Sequence, residues 1–293
     1  MESSATQSPE NSARENVRKY FREVMQKHQL PVLPVVVMKV LEMVQDPDCD
    51  VRTLCRVLSD DAALAGRVLG ISRSAHYAQR TLPKNLHGAV QVLGFQTLRN
   101  VLFAASTQNL LLGSGKFAEK LWSHSLAVAL AARLLCRQAG IREAEQAFLA
   151  GLLHDVGEMI LVHGDARGFE EVCIAVDDEK GSMVDKEKDM FGFDHAFIGR
   201  TLLDSWNIDG SICEAVLQHH EGDTGMEAKS MTAIIRIADY ACFQARLGFF
   251  AEPPAPAMSM MAAFGCGSAE SVEQLAQEIA RAYEEESSLF QAR

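Results

Sequence analysis

The 293-residue chain is 48% hydrophobic and 23% charged, enough to bury one large core or two ordinary ones. Its net charge of -11 opposes a broad phosphate-binding face, because nucleic-acid affinity rests on clustered Lys and Arg, so nucleic acid is a disfavoured partner. No apolar run is read as reaching the ~20 residues of a membrane span, the N-terminus lacks a basic-then-apolar leader, and seven cysteines without any C-x-x-C suit reduced, buried thiols. The expected location is the cytoplasm, with no membrane partner.

In chain order, residues 1–14 are rich in Ser, Gln, Glu and Asn and are expected to be a disordered tail. Order is expected from an amphipathic segment at 15–28. Pro31 and Pro34 then start a helix whose buried stripe is Val36, Val37, Val40, Leu41 and Val44, and Asp46-Pro47 ends it. A second helical pattern covers 51–58. A third follows the Ser59-Asp60-Asp61 capping signal, with Leu64, Val68, Leu69 and Ile71 on one face. Helical patterns resume at 86–93 and, beyond Gly94, at 97–105. This half carries no strand alternation, and the fold class predicted is all-α. A basic cluster of Arg67, Arg73, His76, Arg80 and Lys84 reads as a solvated face paired with Asp60 and Asp61.

The segment 151–161, GLLHDVGEMIL, sets His154 and Asp155 side by side in an otherwise apolar run. A carboxylate among Leu152, Leu153, Val156, Met159 and Ile160 is costly to desolvate unless a cation or several donors meet it. Imidazole beside carboxylate suits a divalent transition metal, so other His and Asp residues on apolar faces are candidates to converge here. His124 points inward on a helix over 120–137, although a lone inward His is more often a hydrogen-bonded core residue. Segment 142–150 leads straight into the His154-Asp155 helix. The charged stretch 177–189 reads as a solvated face or loop with no chemistry. Asp194 is the N-cap expected for a helix that carries His195 on the face of Ile198 and Leu202, where His195 could equally be open to water. His219 and His220 end a helix stopped by Gly222, a place where imidazoles can simply complement the dipole. Asp239, on one stripe with Ile235 and Cys242, repeats the problem of Asp155. Beyond it, 251–257 is a Pro-rich break. Over 268–290 an amphipathic helix presents Val272, Leu275, Ile279 and Tyr283 behind a Ser271-x-x-Gln274 capping box, most simply packed on the body.

LPVLP at 30–34, QDPD at 45–48, LSDDAALAGRVLGISRSAHY at 58–77 and AVQVLGFQTLRNV at 89–101 together resemble the HDOD family, bacterial signalling-output domains related to HD phosphohydrolases, over residues 28–245. The resemblance implies an HD-domain-like helical bundle with an N-terminal helical subdomain. The divisions expected are the tail at 1–14, the N-terminal subdomain at 15–110, an HD-like subdomain at 111–250, and a Pro-rich link and C-terminal helix at 251–293. The order His124, His154-Asp155, His195, His219-His220, Asp239 resembles the ligand order of HD hydrolases that hold two metals. By that resemblance His124, His154, Asp155 and Asp239 hold one ion. Asp155, the expected catalytic carboxylate, bridges to a second ion held by His195 with His219, His220 or both. The cofactor expected is one or two divalent transition metals: Fe, Mn or Zn.

Three features depart from the hydrolase pattern. Glu158 stands where such enzymes commonly carry Lys after HD-x-G, which weakens binding of an anionic substrate unless Glu158 points away or itself binds metal. The His pair is followed by EGDTGM, not by the Gly-Tyr-Pro of cyclic-dinucleotide phosphodiesterases. Lys120 replaces the acid that some of these enzymes place one turn before the first His, so a third ion is not expected. The resulting reading is a signalling-output protein working through an unknown protein partner. Its alternative is a metal-dependent phosphohydrolase acting on a nucleotide or other phosphate-bearing small molecule, with Arg236 or Arg73 pairing with the phosphate.

Overall fold

The computed structural model describes residues 19, 33–46, 48–74, 76–77, 82–111, 115–179, 181–222, 225–248 and 252–290. The expected tail, all but Lys19 of the 15–28 segment, and Pro31, Pro47 and Arg80 lie outside the described residues. Every regular element among the described residues is helical. Helices α1 (Val35–Gln45), α2 (Val51–Leu58), α3 (Ala62–Ser72) and α4 (Leu86–Leu111) come first. Val37 and Val40 are fully buried on α1, with Val36, Leu41 and Val44 packed partly buried beside them. The Asp50 carboxylate accepts from the Arg52 and Thr53 amides at the start of α2, and that of Asp61 accepts from the Ala63 and Leu64 amides at the start of α3. Helix α4 is two helical runs joined across Gly94, whose φ of 73° with ψ of 167° suits a residue without Cβ and makes the break expected there.

The centre of the molecule is α5 (Lys116–Gln138), which packs most extensively on α6 (Ala144–Leu153) and then on α12 (Met231–Gln244). Small residues allow the first contact: a Cβ on Gly151 of α6 would stand 2.8 Å from Ala129 Cα of α5. Between α6 and α12 the chain forms α7 (Val156–Gly164), α8 (Ala166–Glu179), α9 (Met183–Phe191), α10 (His195–Ser205) and α11 (Gly210–Gln218). The short α13 (Met258–Ala262) and the long α14 (Ala269–Phe290) follow. Helix α14 packs on α5 and α12 and touches α3 and α4, and the buried apolar residues form one cluster from Leu33 to Phe290.

Three expectations need correcting. The capping box of α14 lies three residues earlier than expected: Ser268 Oγ accepts from the Ser271 amide at 3.2 Å and Ser271 Oγ accepts from the Ser268 amide at 2.9 Å, a reciprocal arrangement that starts the helix at Ala269. Arg67, Arg73 and His76 of the basic cluster do not pair with Asp60 and Asp61, and Asp61 caps α3. Instead Arg67 donates to Gln108 Oε1 at 2.7 Å, Arg73 to the Pro83 carbonyl at 2.8 Å, and His76 Nδ1 lies 3.3 Å from Glu286. Finally, the stretch 144–164 is long and apolar enough by composition to cross a membrane, yet 89% of its most apolar window is buried inside the protein and a turn divides it.

Candidate metal centre

That turn is where His154 and Asp155 sit. The chain breaks between α6 and α7 at these two residues, so they are not inside a helix as expected. Two residues further on, Gly157 lets α7 lie directly on α10. A Cβ at Gly157 would stand 1.9 Å from the His195 carbonyl oxygen, and one at Gly199 would stand 3.2 Å from the Gly157 amide nitrogen. The crossing carries His195, the first residue of α10, onto Asp155. Asp194 caps α10 as expected, accepting from the Phe197 amide at 2.8 Å. Helix α5 supplies His124, the end of α11 supplies His219 and His220, and α12 supplies Asp239. All are buried except His220, which is half-buried.

Asp155 is the middle of the cluster. Its Oδ2 lies 3.0 Å from His154 Nε2 and 3.5 Å from His124 Nε2, and Asp239 Oδ1 lies 3.3 Å from that same His124 nitrogen. Its Oδ1 faces the other way, 3.5 Å from His195 Nε2 and 3.4 Å from His219 Nε2. His220 Nε2 completes that side, 3.1 Å from His195 Nε2. The ligand atoms of His124, His154 and Asp239 lie within 4.8 Å of one another, and so do those of Asp155, His195, His219 and His220. All seven expected metal residues are therefore together, with one carboxylate oxygen of Asp155 turned to each group.

The hydrogen bonds on the outer ring nitrogens fix which atoms face inward. His124 Nδ1 lies 3.0 Å from the Leu247 carbonyl, His154 Nδ1 2.8 Å from that of Gly151, and His219 Nδ1 2.7 Å from that of Val216. A carbonyl oxygen only accepts, so each Nδ1 carries a proton and each Nε2 is the atom turned toward Asp155, where the neutral form of the ring would present its lone pair. His195 does the same with a carboxylate, its Nδ1 lying 2.7 Å from Glu187 Oε2. His154 Nε2 is buried without a hydrogen bond even though Asp155 Oδ2 is 3.0 Å away, as expected of two atoms aimed at a common point, not at each other. Converging imidazole lone pairs and carboxylates fit a divalent transition metal.

The charges point the same way. Burial alone would raise the Asp155 carboxyl, yet neighbouring His154 and the imidazoles of His124 and His219 hold it well below the usual carboxylate range. Burial opposes charge on His124 and His195, but Asp155 and Asp239 beside the first, and Glu187 beside the second, hold both well above the ordinary histidine value. Burial pushes His219 down, and burial with the charges of His219 and His195 pushes His220 well down. Protons thus supply the positive charge that a bound cation would replace.

Comparison with known proteins places this arrangement. The HDOD domain family matches residues 30–222. The chain belongs to the HDOD family. An HDOD domain protein of unknown function from Geobacter sulfurreducens is 26% identical with a TM-score of 0.71, covering 95% of this chain and 94% of its own. A Shewanella amazonensis protein suggested to be a metal-dependent phosphohydrolase is 20% identical with a TM-score of 0.60, covering 92% and 99%. An uncharacterized protein of Treponema pallidum is 22% identical over 201 residues, 65% of this chain but 37% of its own, so the chain spans little more than a third of that relative. The family match takes in His124 through His220 and ends before Asp239, which α12 returns to the cluster.

In this HDOD protein a cleft of about 350 Å³ reaches the centre. His124, Asp155, Glu158, His220 and Asp239 line it, with Ser182 to Asp185 at the start of α9 on one side and Glu252, Pro253 and Pro254 on another. The Pro-rich break is therefore cleft wall. Among the described lining residues five are acidic and none is Lys or Arg. Glu158 does not point away: it is buried in the lining, its Oε1 is 3.9 Å from His195 Nδ1, and burial with the Asp155 charge pushes its carboxyl well up. The two expected phosphate partners are elsewhere. Arg236 is buried with Nη1 on the Glu221 carbonyl, Arg73 is held at the end of α3, and neither lines the cleft. The residue that sequence reasoning missed is Glu187, in the stretch read as solvated. It is fully buried against His195. Its signal was available, since Met183, Glu187 and Phe191 recur every four residues as an inward stripe.

Proposed function

We propose that this HDOD protein is a signal-transduction output module whose centre holds two divalent transition ions, and that it acts mainly through contact with a protein partner while the centre stabilises or senses. One observation carries the metal part of this reading: four buried imidazoles have Nδ1 committed to an outward acceptor and Nε2 turned on Asp155. His124, His154 and Asp239 would hold one ion, His195, His219 and His220 the other, with one oxygen of Asp155 for each. The acidic cleft supports an output other than phosphate turnover. An anionic substrate entering it meets Asp185, Glu252 and Glu158, and no described lining residue is a Lys or Arg that could pair with its oxygens.

The experiment is the ion content of anaerobically purified protein, by plasma mass spectrometry, beside the His154→Ala/Asp155→Ala double variant. About two ions per chain, lost in the variant, is the expected result. A folded chain that takes up no added Mn²⁺, Fe²⁺ or Zn²⁺ overturns the metal part. Turnover of a phosphate ester at enzymatic rates, abolished by Asp155→Ala, overturns the non-enzymatic part.

A second reading, a metal-dependent phosphohydrolase, is favoured by the cleft itself, because His124, Asp155, His220 and Asp239 all line it. When bound, a pair of ions supplies Lewis acidity and lowers the pKa of a bridging water toward neutrality. In that case Asp155 serves both groups, and Glu158, whose carboxyl burial and the Asp155 charge push well up, stands beside them in the cleft lining. A screen of nucleotides and phosphate esters with Mn²⁺ or Fe²⁺ tests it, and no turnover above the Asp155→Ala background removes it.

A further inference from the structure

We propose that Glu187 is a positioning residue for the second ion: its carboxylate locks the ring of His195 so that Nε2 stays on Asp155. The proposal rests on the metal reading above and deepens it. Glu187 Oε2 takes two N–H groups from one residue, the His195 ring Nδ1 at 2.7 Å and the His195 backbone amide at 2.8 Å. Both rotations that would swing the ring away, about the backbone and about the side chain, are opposed by one oxygen.

The need for such a residue follows from where His195 lies. His154 and His219 stand at the C-terminal ends of α6 and α11, so the carbonyl three residues earlier, Gly151 or Val216, is at hand for Nδ1. His195 is the first residue of α10 and has no preceding helical turn to offer a carbonyl. Its amide is also one of the orphan donors of a helix start. A side chain from outside must satisfy both groups, and α9 supplies it. A carboxylate acceptor also makes Nε2 a stronger donor to metal than a carbonyl does. Behind the ring, Glu158 and Glu187 lie with His195 in a group whose ligand atoms are within 4.8 Å of one another, so two carboxyl groups back the ring on the side away from Asp155. The first turn of the same helix, Ser182 to Asp185, walls the cleft, so the cleft wall and the lock on His195 belong to one element.

The test uses the full chain as wild type, Glu187→Gln and Glu187→Ala. Each is loaded anaerobically with Mn²⁺, ion content is measured, and binding is titrated by the resonance signal of free Mn²⁺. The wild type should bind two ions. Glu187→Ala should keep the ion of His124, His154 and Asp239 while binding the other about 10- to 100-fold more weakly. Glu187→Gln keeps an acceptor oxygen and should fall between, and it carries the test alone if Glu187→Ala does not fold. Imidazole ¹⁵N shifts give a readout independent of the ions: a protonated Nδ1 on His195 in the wild type, lost in Glu187→Ala. Unchanged affinity for both ions in both variants overturns the positioning role. Equal loss of both ions makes Glu187 merely structural and overturns it too. Three ions in the wild type, one of them lost in Glu187→Ala, makes Glu187 a ligand and overturns it as well. No ion in any protein, with the His195 tautomer still fixed by Glu187, sinks the metal reading while the lock itself stands.

Discussion

Replacing Gly157 by Ala adds one methyl group and should cost far more than a methyl group. The new Cβ would lie 1.9 Å from the His195 carbonyl oxygen, 2.7 Å from the carbonyl carbon and 2.8 Å from Ile198 Cγ2. Cβ atoms do not approach closer than 3.0 Å, so the contact falls short by 1.1 Å, and the nearest obstacle is main chain that no rotamer change can move. Helices α7 and α10 have to separate. Overpacking of this kind costs about 1–3 kcal/mol, and a backbone obstacle puts this case at the top of the range. At roughly 2–3 °C per kcal/mol for a chain of this size, the midpoint should fall by about 6–9 °C. The same separation carries His195 away from Asp155, so the second ion should be lost before the first. Gly151→Ala is the control: its nearest contacts are 2.8 Å, a shortfall of only 0.2 Å, and it faces α5, not His195. Thermal unfolding followed by circular dichroism, with ion content on the same samples, makes the comparison. A Gly157→Ala protein as stable as Gly151→Ala, with both ions in place, would refute the argument from close approach.

Arg133 and Glu286 form an ion pair with side chains 3% and 10% exposed, tying α5 to α14. Arg133→Met should cost about 3–5 kcal/mol in denaturant unfolding and Arg133→Met/Glu286→Leu much less, since the single change takes the guanidinium from a largely buried carboxylate and leaves it facing His76 Nδ1 at 3.3 Å; equal losses would contradict this. Burial pushes the Cys136 thiol up to about 12 and that of Cys213 up to about 11, from an ordinary 9.0. Both thiols should resist iodoacetamide at about pH 8, where thiolate is the reactive form, and their stabilising contribution should be full below 9.0 and fade as pH rises from there toward the folded values. Rapid alkylation of a folded chain would count against that. Because no described residue lining the cleft is Lys or Arg and its histidines lie against the acids of the centre, ~10 mM inorganic phosphate should leave the thermal midpoint of the ion-free protein unmoved. A clear rise would show that the acids do not govern what enters.

Fold class was legible because a helical stripe is visible in one sequence, and His124, Asp155 and Asp239 stood out as polar residues on such stripes, whereas His195, His219 and His220 joined them only through the resemblance of their order to that of HD hydrolases. Glu187 obeyed the same rule and was passed over because its neighbours, Asp185, Lys186, Lys188 and Asp189, made the segment look solvated on every face. The break at His154-Asp155 was hidden by unbroken apolar flanks, which suit either one helix or two. Arg236 looked available because charge suggests exposure; its place on α12, with Nη1 on a carbonyl across the turn after α11, depends on a contact 15 residues away that no local pattern encodes.

The outer hydrogen bonds also divide the centre by how easily mutation can undo it. The rings of His124, His154 and His219 are held by main-chain oxygens, which every substitution at Leu247, Gly151 or Val216 leaves in the chain. His195 alone among the four depends on a side chain, and a single base change in the Glu187 codon can remove it. On the two-ion reading proposed above, descent from such a protein therefore has a short path, through one codon, from two ions to one.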